Sequence, residues 1–291
     1  MSPVYYPEAT IPFPSELPVA DLEVIDYELI KKGNKDEINR MWKAFTGVSF
    51  FYLKNTGVDP QPLIDLAETT FPEKLEEKMR FPQGDTRYTF GYKGGFYDGA
   101  EIMNVGHDAV ESFLKNQGGR VSLESSDRTL PSVQDFMNAG REVSLVLLDI
   151  IEKKLELPQG TLVDLHNGKN GSGARITMTP PLKAEASEEE IHSAEHYDFG
   201  TFAILFDNVG GLQFQAPGDS TWQWMKPIAG YASINSGDYL KALTGGAITS
   251  LAHRVLPPPG QQSALTRFSP VYFCRPNWGV KPKAVMGISM A

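Results

Sequence analysis

From Asn167 onward the chain is cut into strand-length segments at short intervals, and that spacing leaves few folds open to it. The segments cover residues 174–179, 201–206, 211–215, 222–225, 231–234, 247–249 and 266–273. Between them lie Asp207-Asn208, Pro217-Gly218-Asp219, Ser236-Gly237-Asp238 and Thr244-Gly245-Gly246. These are turn formers, because Gly and Asn tolerate a left-handed backbone and Pro presets φ. Many short strands with regular turns pack as a sandwich or barrel, and a jelly roll is the version that gathers side chains from separated strands. Upstream the period changes. Residues 36–45 open on acidic side chains and place Ile38, Met41, Trp42 and Phe45 at helical spacing. Residues 60–71, 72–79 (with Pro at the first turn) and 132–157 also read as helices, the last carrying Val133, Phe136, Met137, Val143 and Leu147 on one face. Residues 19–25 and 48–53 read as strands. The expected fold is α+β and mainly β: a mostly helical region, 1–166, packing on a jelly-roll core, 167–291, as one compact unit.

Charge and cysteine content narrow the function classes. The 27 Lys and Arg against 36 Asp and Glu give a net charge of −9, with no basic run, which argues against nucleic acid as a partner. Cys274 is the sole cysteine, so no internal disulfide is possible and no oxidising compartment is implied. The first residues have neither the basic nor the apolar region of a secretory signal, and no apolar run approaches the roughly 20 residues that cross a bilayer. A cytoplasmic protein with a small-molecule partner, and without a membrane partner, is the expectation.

The chemistry-bearing residues fall late in the chain. His196-Tyr197-Asp198 puts an imidazole and a carboxylate two residues apart, on one side of a strand. A distant strand then supplies His253, in Ala252-His253-Arg254-Val255. Two imidazoles and one carboxylate make a facial triad that holds Fe(II) on one side and leaves the other positions open. An H-x-D arises readily by chance in a chain with five histidines; the set carries the argument. Arg267 and Ser269, again two apart on a strand, offer a guanidinium and a hydroxyl to a ligand carboxylate. His107, His166 and His192 lack a partner at ligand spacing and read as structural or surface residues. Residues 82–106, rich in Gly and aromatics, read either as an irregular loop covering the core or as a pocket wall, with Phe90, Tyr92 and Phe96 as candidate substrate contacts.

Together these stretches resemble the isopenicillin N synthase-like branch of the Fe(II)/2-oxoglutarate-dependent dioxygenases. The likeness is carried by residues 47–57, by Glu76-Glu77-Lys78-Met79, and by the two histidine motifs. It continues in Val209-Gly210-Gly211-Leu212-Gln213, Asn235-Ser236-Gly237-Asp238 and Arg267-Phe268-Ser269. The resemblance implies a double-stranded β-helix core braced by N-terminal helices, with His196, Asp198 and His253 on iron. It implies that Arg267 and Ser269 grip the distal carboxylate of 2-oxoglutarate. Arg175-Ile176-Thr177-Met178-Thr179-Pro180-Pro181 departs from the family's Arg-x-Asn-x-Tyr strand: Thr177 stands where Asn often contacts the cosubstrate, and Arg175 is a candidate substrate contact. The chain ends soon after Arg275-Pro276-Asn277, so the pocket mouth is expected to be open or lidded by residues 82–106.

The activity so implied is oxidation of an unactivated C–H of a small, fairly apolar organic molecule, of the specialised-metabolite kind. Hydroxylation, desaturation and ring rearrangement are its outcomes, and 2-oxoglutarate leaves as succinate and CO2. O2 is the other cosubstrate and ascorbate a candidate stimulant. An iron-bound oxo group does the work, without a separate acid or base residue. Two alternatives stand beside this: an oxidase of the same fold that uses no 2-oxoglutarate, and a non-catalytic metal-binding β-barrel.

Overall fold

The computed structural model describes residues 11–82, 91–96, 99–115, 127–183 and 192–285. The chain enters through β1 (Val24–Asp26), α1 (Tyr27–Lys31) and α2 (Lys35–Thr46), then β2 (Phe50–Lys54), which lies parallel to β1. Helix α2 begins where expected because Asn34 caps it, its side chain accepting from the Glu37 amide. α3 (Gln61–Thr70) and the short α4 (Leu75–Lys78) lead to an antiparallel hairpin, β3 (Gly91–Phe96) and β4 (Ala100–Gly106). α5 (His107–Leu114) and the long α6 (Leu130–Lys154) follow. The later strands are β5 (Gly173–Thr179), β6 (Ser193–His196), β7 (Phe202–Leu205), β8 (Leu212–Gln215), β9 (Trp222–Trp224) and β10 (Ala232–Ser236). α7 (Asp238–Leu243), β11 (His253–Val255) and β12 (Arg267–Cys274) complete the fold.

These strands form two sheets. The larger has eight strands in the order β1-β2-β10-β7-β12-β5-β4-β3, and the smaller has four, β6-β11-β8-β9. The pair is a jelly roll, the double-stranded β-helix. Strand alternation gives each layer its own core. In β2, Phe51 and Leu53 join the cluster under the helices, whereas Phe50 and Tyr52 face the smaller sheet, where Phe50 stacks on Phe214 with ring centres 4.6 Å apart. In β12, Tyr272 and Cys274 pack under the helices, and Arg267, Ser269, Val271 and Phe273 line the space between the sheets. α6 braces the larger sheet with Val133, Phe136, Met137, Leu147 and Ile151, each a buried apolar side chain worth about 1.5–3 kcal/mol. It can approach because of Gly140: a Cβ there would lie 2.6 Å from the Tyr272 ring.

Several expectations need correction. Residues 91–96 and 100–106 are not irregular; they form the β3–β4 hairpin on the edge of the larger sheet, and β4 pairs with β5 over six register positions. Glycines at 91, 94, 95 and 99 hid its period. The helix expected over 72–79 is only Leu75–Lys78, and residues 247–249 form no strand but follow the turn after α7. The first half of the chain is also less helical than its pattern suggests, since β1 to β4 all join the larger sheet. No helix among the described residues is long and apolar enough to cross a membrane.

One buried histidine ties the helices to the sheet. His166 donates from Nδ1 to the Leu162 carbonyl and accepts at Nε2 from the Thr201 hydroxyl, both at 2.7 Å. Burial pushes its pKa down from 6.5 to about 4, against the pull of the Leu162 carbonyl. Between those values the unfolded chain binds a proton that the folded chain refuses, so stability falls as pH drops through that window, by on the order of 3 kcal/mol. Urea unfolding from pH 7 to pH 4.5 should therefore show a slope shallower by about one proton in His166→Gln than in the wild type. Equal slopes would contradict this.

Candidate metal centre

β6 and β11 are neighbours, and their antiparallel register sets His253 directly against His196, with ring centres 4.2 Å apart. Each imidazole is oriented through its far nitrogen. His196 Nδ1 meets the Ala194 carbonyl at 2.7 Å and His253 Nδ1 meets the Leu251 carbonyl at 3.2 Å. A carbonyl only accepts, so Nδ1 holds the proton and Nε2 presents a lone pair. Burial lowers the His253 pKa, and His196 adds to that, against Asp198; the ring is thus neutral, as a ligand must be. Asp198 follows two residues after His196, and its Oδ2 lies 3.9 Å from His253 Nε2. One donor atom from each of the three falls within 4.8 Å of the others.

The carboxylate is clamped by a motif whose purpose the spacing did not disclose. Asn235 donates from Nδ2 to Asp198 Oδ2 at 2.6 Å. The Asp238 amide donates to the Asp198 carbonyl at 2.7 Å, and the Gly237 and Tyr239 amides take the Thr201 and Gly200 carbonyls. The first amides of α7 thereby hold the turn that carries the ligand. Gly237 has no room for a side chain: a Cβ would sit 2.3 Å from the Gly200 carbonyl oxygen. Two imidazoles with bare Nε2 atoms and one carboxylate on one side of an open space are a donor set suited to Fe(II).

Beside the triad the sheets enclose a cavity of about 410 Å³. Arg267, Ser269 and Val271 of β12 lie opposite Thr179, Thr177 and Arg175 of β5, and all six side chains line it. Arg267 is buried and paired: its Nη2 donates to Asp207 Oδ1 at 2.8 Å, and the same oxygen accepts from the Ser269 hydroxyl. Burial pushes the Asp207 carboxyl up, against the pull of Arg267 and Ser269. Arg267 keeps donors in reserve, for its Nη1 makes no hydrogen bond among the described residues and its buried Nε has no partner. That orphaned donor capacity suits the distal carboxylate of 2-oxoglutarate, with Asp207 sharing the guanidinium. The Gly210-Gly211 motif acquires a reason here. Gly211 has φ +149°, and a Cβ on it would lie 2.8 Å from Arg267 Nε.

The substrate candidates fare unevenly. Arg175 and Thr177 line the cavity. Tyr92 does not: its ring is buried under the helices near Phe71, and its hydroxyl donates to Glu101. Strand parity explains this, because it is the next residue, Lys93, that faces the cavity, along with Ala100 and Ile102 of β4. Phe90 and the Phe96 side chain lie outside the described residues. Glu101 also takes Lys78, which is buried and donates to the Phe71 carbonyl, so the Glu76–Met79 stretch is a buttress for the hairpin. His107 does have carboxylates at ligand spacing, Asp108 and Glu111. Two of the three are spoken for: Glu111 pairs with Lys115, and His107 Nε2 meets Asn138.

Fold and site define a jelly-roll protein with a two-histidine, one-carboxylate centre. The family model described as the 2OG-Fe(II) oxygenase superfamily matches residues 175–276. A 2-oxoglutarate-dependent dioxygenase of Aspergillus fumigatus is 26% identical over 93% of this chain and 80% of its own length. One from Glarea lozoyensis is 27% identical over 88% and 80%. The fold is shared with a Neurospora crassa protein solved with alpha-KG and 5-formyluracil, at TM-score 0.79, 20% identity and coverage of 98% and 93%. It is shared too with an Arabidopsis thaliana dioxygenase for auxin oxidation, at TM-score 0.73, 19% identity and coverage of 93% and 98%. Residues 175–276 are thus a 2OG-Fe(II) oxygenase domain, and the relatives that match most of the chain are 2-oxoglutarate-dependent dioxygenases.

The buried Arg267–Asp207 pair makes a testable claim on stability. Arg267→Leu leaves a buried carboxylate without its cation and should cost about 3–5 kcal/mol. Replacing both, Arg267→Leu with Asp207→Leu, should cost clearly less than Arg267→Leu alone, as read by urea unfolding of the set. Additive losses would show that the two side chains do not depend on each other.

Proposed function

We propose that the protein oxidises an unactivated C–H of a small organic molecule, with His196, Asp198 and His253 as iron ligands and Arg267 and Ser269 as the seat of the distal carboxylate of 2-oxoglutarate. The observation that carries this is the convergence of the three donor atoms beside a buried guanidinium with donors in reserve, all on one cavity. When bound, Fe(II) with O2 and 2-oxoglutarate supplies the oxidising power, and the cosubstrate leaves as succinate and CO2.

The chain's own residues do the rest. The two Nδ1–carbonyl hydrogen bonds keep Nε2 bare and aimed, and Asn235 holds the Asp198 carboxylate in one orientation. Arg267, held by Asp207 and with donors in reserve, gives the cosubstrate a fixed far end, to which the Ser269 hydroxyl turns from Asp207, so its metal-binding end arrives in register. Leu205, Leu212, Val255 and Val271 keep the cavity apolar, which restricts water near the reacting carbon. No separate acid or base is required of the protein. Curated relatives include fungal 2-oxoglutarate-dependent dioxygenases, which supports a specialised-metabolite substrate and accords with the isopenicillin N synthase-like branch.

Adding 2-oxoglutarate to the anaerobic Fe(II) protein should raise a visible charge-transfer band, and admitting O2 should yield succinate. Iron bound without either signal would contradict the proposal, and substrate oxidation without succinate would favour the oxidase that uses no 2-oxoglutarate.

A further inference from the structure

Arg175 is the cavity's second guanidinium, and it is built in differently from Arg267. Its Nε donates to Asn104 Oδ1 at 2.7 Å, and its guanidinium carbon lies 5.0 Å from the centre of the Phe273 ring. Asn104 is itself buried, at 7% exposure, so the anchor is fixed. Where Arg267 has Asp207, Arg175 has no ion pair among the described residues, and the charge that acts on it most is another cation, Arg275. Burial, and then Arg275, pull its pKa down to about 10, against the attraction of Asp198; it remains a cation at neutral pH. A guanidinium held at Nε and on one face, whose Nη groups make no hydrogen bond among the described residues, has donors to offer and no directly paired counter-charge there.

The position separates this seat from that of the cosubstrate. Arg175 pairs with Val271, two residues beyond Ser269 on β12, and so stands about 7 Å along the sheet from the Arg267–Ser269 seat. It lies on the side of Asp198, whose charge it feels. Around it the wall is Val271, Phe273 and Ile102. We propose that Arg175 binds a carboxylate of the organic substrate, so that the substrate class is a small organic acid with an apolar body, held by its acid end so that a C–H of that body faces the metal. This rests on the oxygenase reading above and narrows it, since cavity shape alone favours apolar molecules of any charge.

The test uses the anaerobic Fe(II) protein loaded with 2-oxoglutarate and a panel of matched arylalkanoic acids and their primary amides, such as 3-phenylpropanoate and 3-phenylpropanamide. Binding is read by ligand-detected NMR and by perturbation of the charge-transfer band. The acids should bind roughly tenfold or more tightly than their amides, the worth of a charge-assisted hydrogen bond. Arg175→Gln should erase that preference and Arg175→Lys should keep part of it, with the 2-oxoglutarate Kd within about threefold of wild type in both. Three results would overturn the inference: acids binding no better than amides, including not at all; a preference that survives Arg175→Gln; or a 2-oxoglutarate Kd raised tenfold or more in Arg175→Gln, which would assign Arg175 to the cosubstrate instead. A wild type with bound iron but no 2-oxoglutarate band would sink the cosubstrate reading itself, and is distinguishable from all three.

Discussion

The pairing of β6 with β11 is the constraint on which the rest of the site depends. It lays two imidazoles against each other at 4.2 Å between ring centres, with both Nδ1 atoms turned to backbone carbonyls. Two rings so placed, next to a carboxylate that is itself clamped, leave their Nε2 lone pairs without a donor among the described residues. The smaller sheet has little else to recommend its geometry. β11 is three residues long, and its register with β6 shifts between His253 and Val255. What steadies it is the neighbouring packing of Phe50 on Phe214 and of Phe50 edge-on to His253, so the seam between the sheets holds the candidate ligands as well as the core.

The larger sheet contributes rigidity. β12 is flanked on both sides, by β5 and β7, and pressed from behind by α6 through the Gly140–Tyr272 contact. One face of the strand is therefore core and the other is site, residue by residue. This is why a buried ion pair can be tolerated at Arg267: the strand cannot shift to expose it, and Asp207 with Ser269 satisfies part of its fork. Gly211 closes the arrangement by giving the guanidinium stem room against the backbone.

How much of this could be read from the sequence depends on how local each feature is. The strand-rich half and the helix over 130–154 were legible because their apolar periods are local, and Arg267 and Ser269 because i and i+2 share a strand face; Asp198 was picked by the same parity, but it lies past the end of β6, in the turn that α7 holds beside His253. Asp207 was not legible, since it sits in what reads as a turn and its partner lies 60 residues away. Tyr92 was misplaced for another reason: strand parity needs register, and the glycines of the β3–β4 hairpin conceal it. The Asn235–Asp238 stretch was visible as a likeness, but its work on Asp198 is a matter of backbone amides that carry no side-chain signature.

The central claim is that His196, Asp198 and His253 make one metal site. Its most direct test is titration of the metal-free protein with Mn(II), a redox-stable stand-in for Fe(II), followed by electron paramagnetic resonance and calorimetry. The account predicts one ion per chain in the wild type and a loss of affinity of at least about 100-fold in His253→Ala and in Asp198→Ala, with the fold retained by circular dichroism. Wild-type affinity in both variants would contradict it.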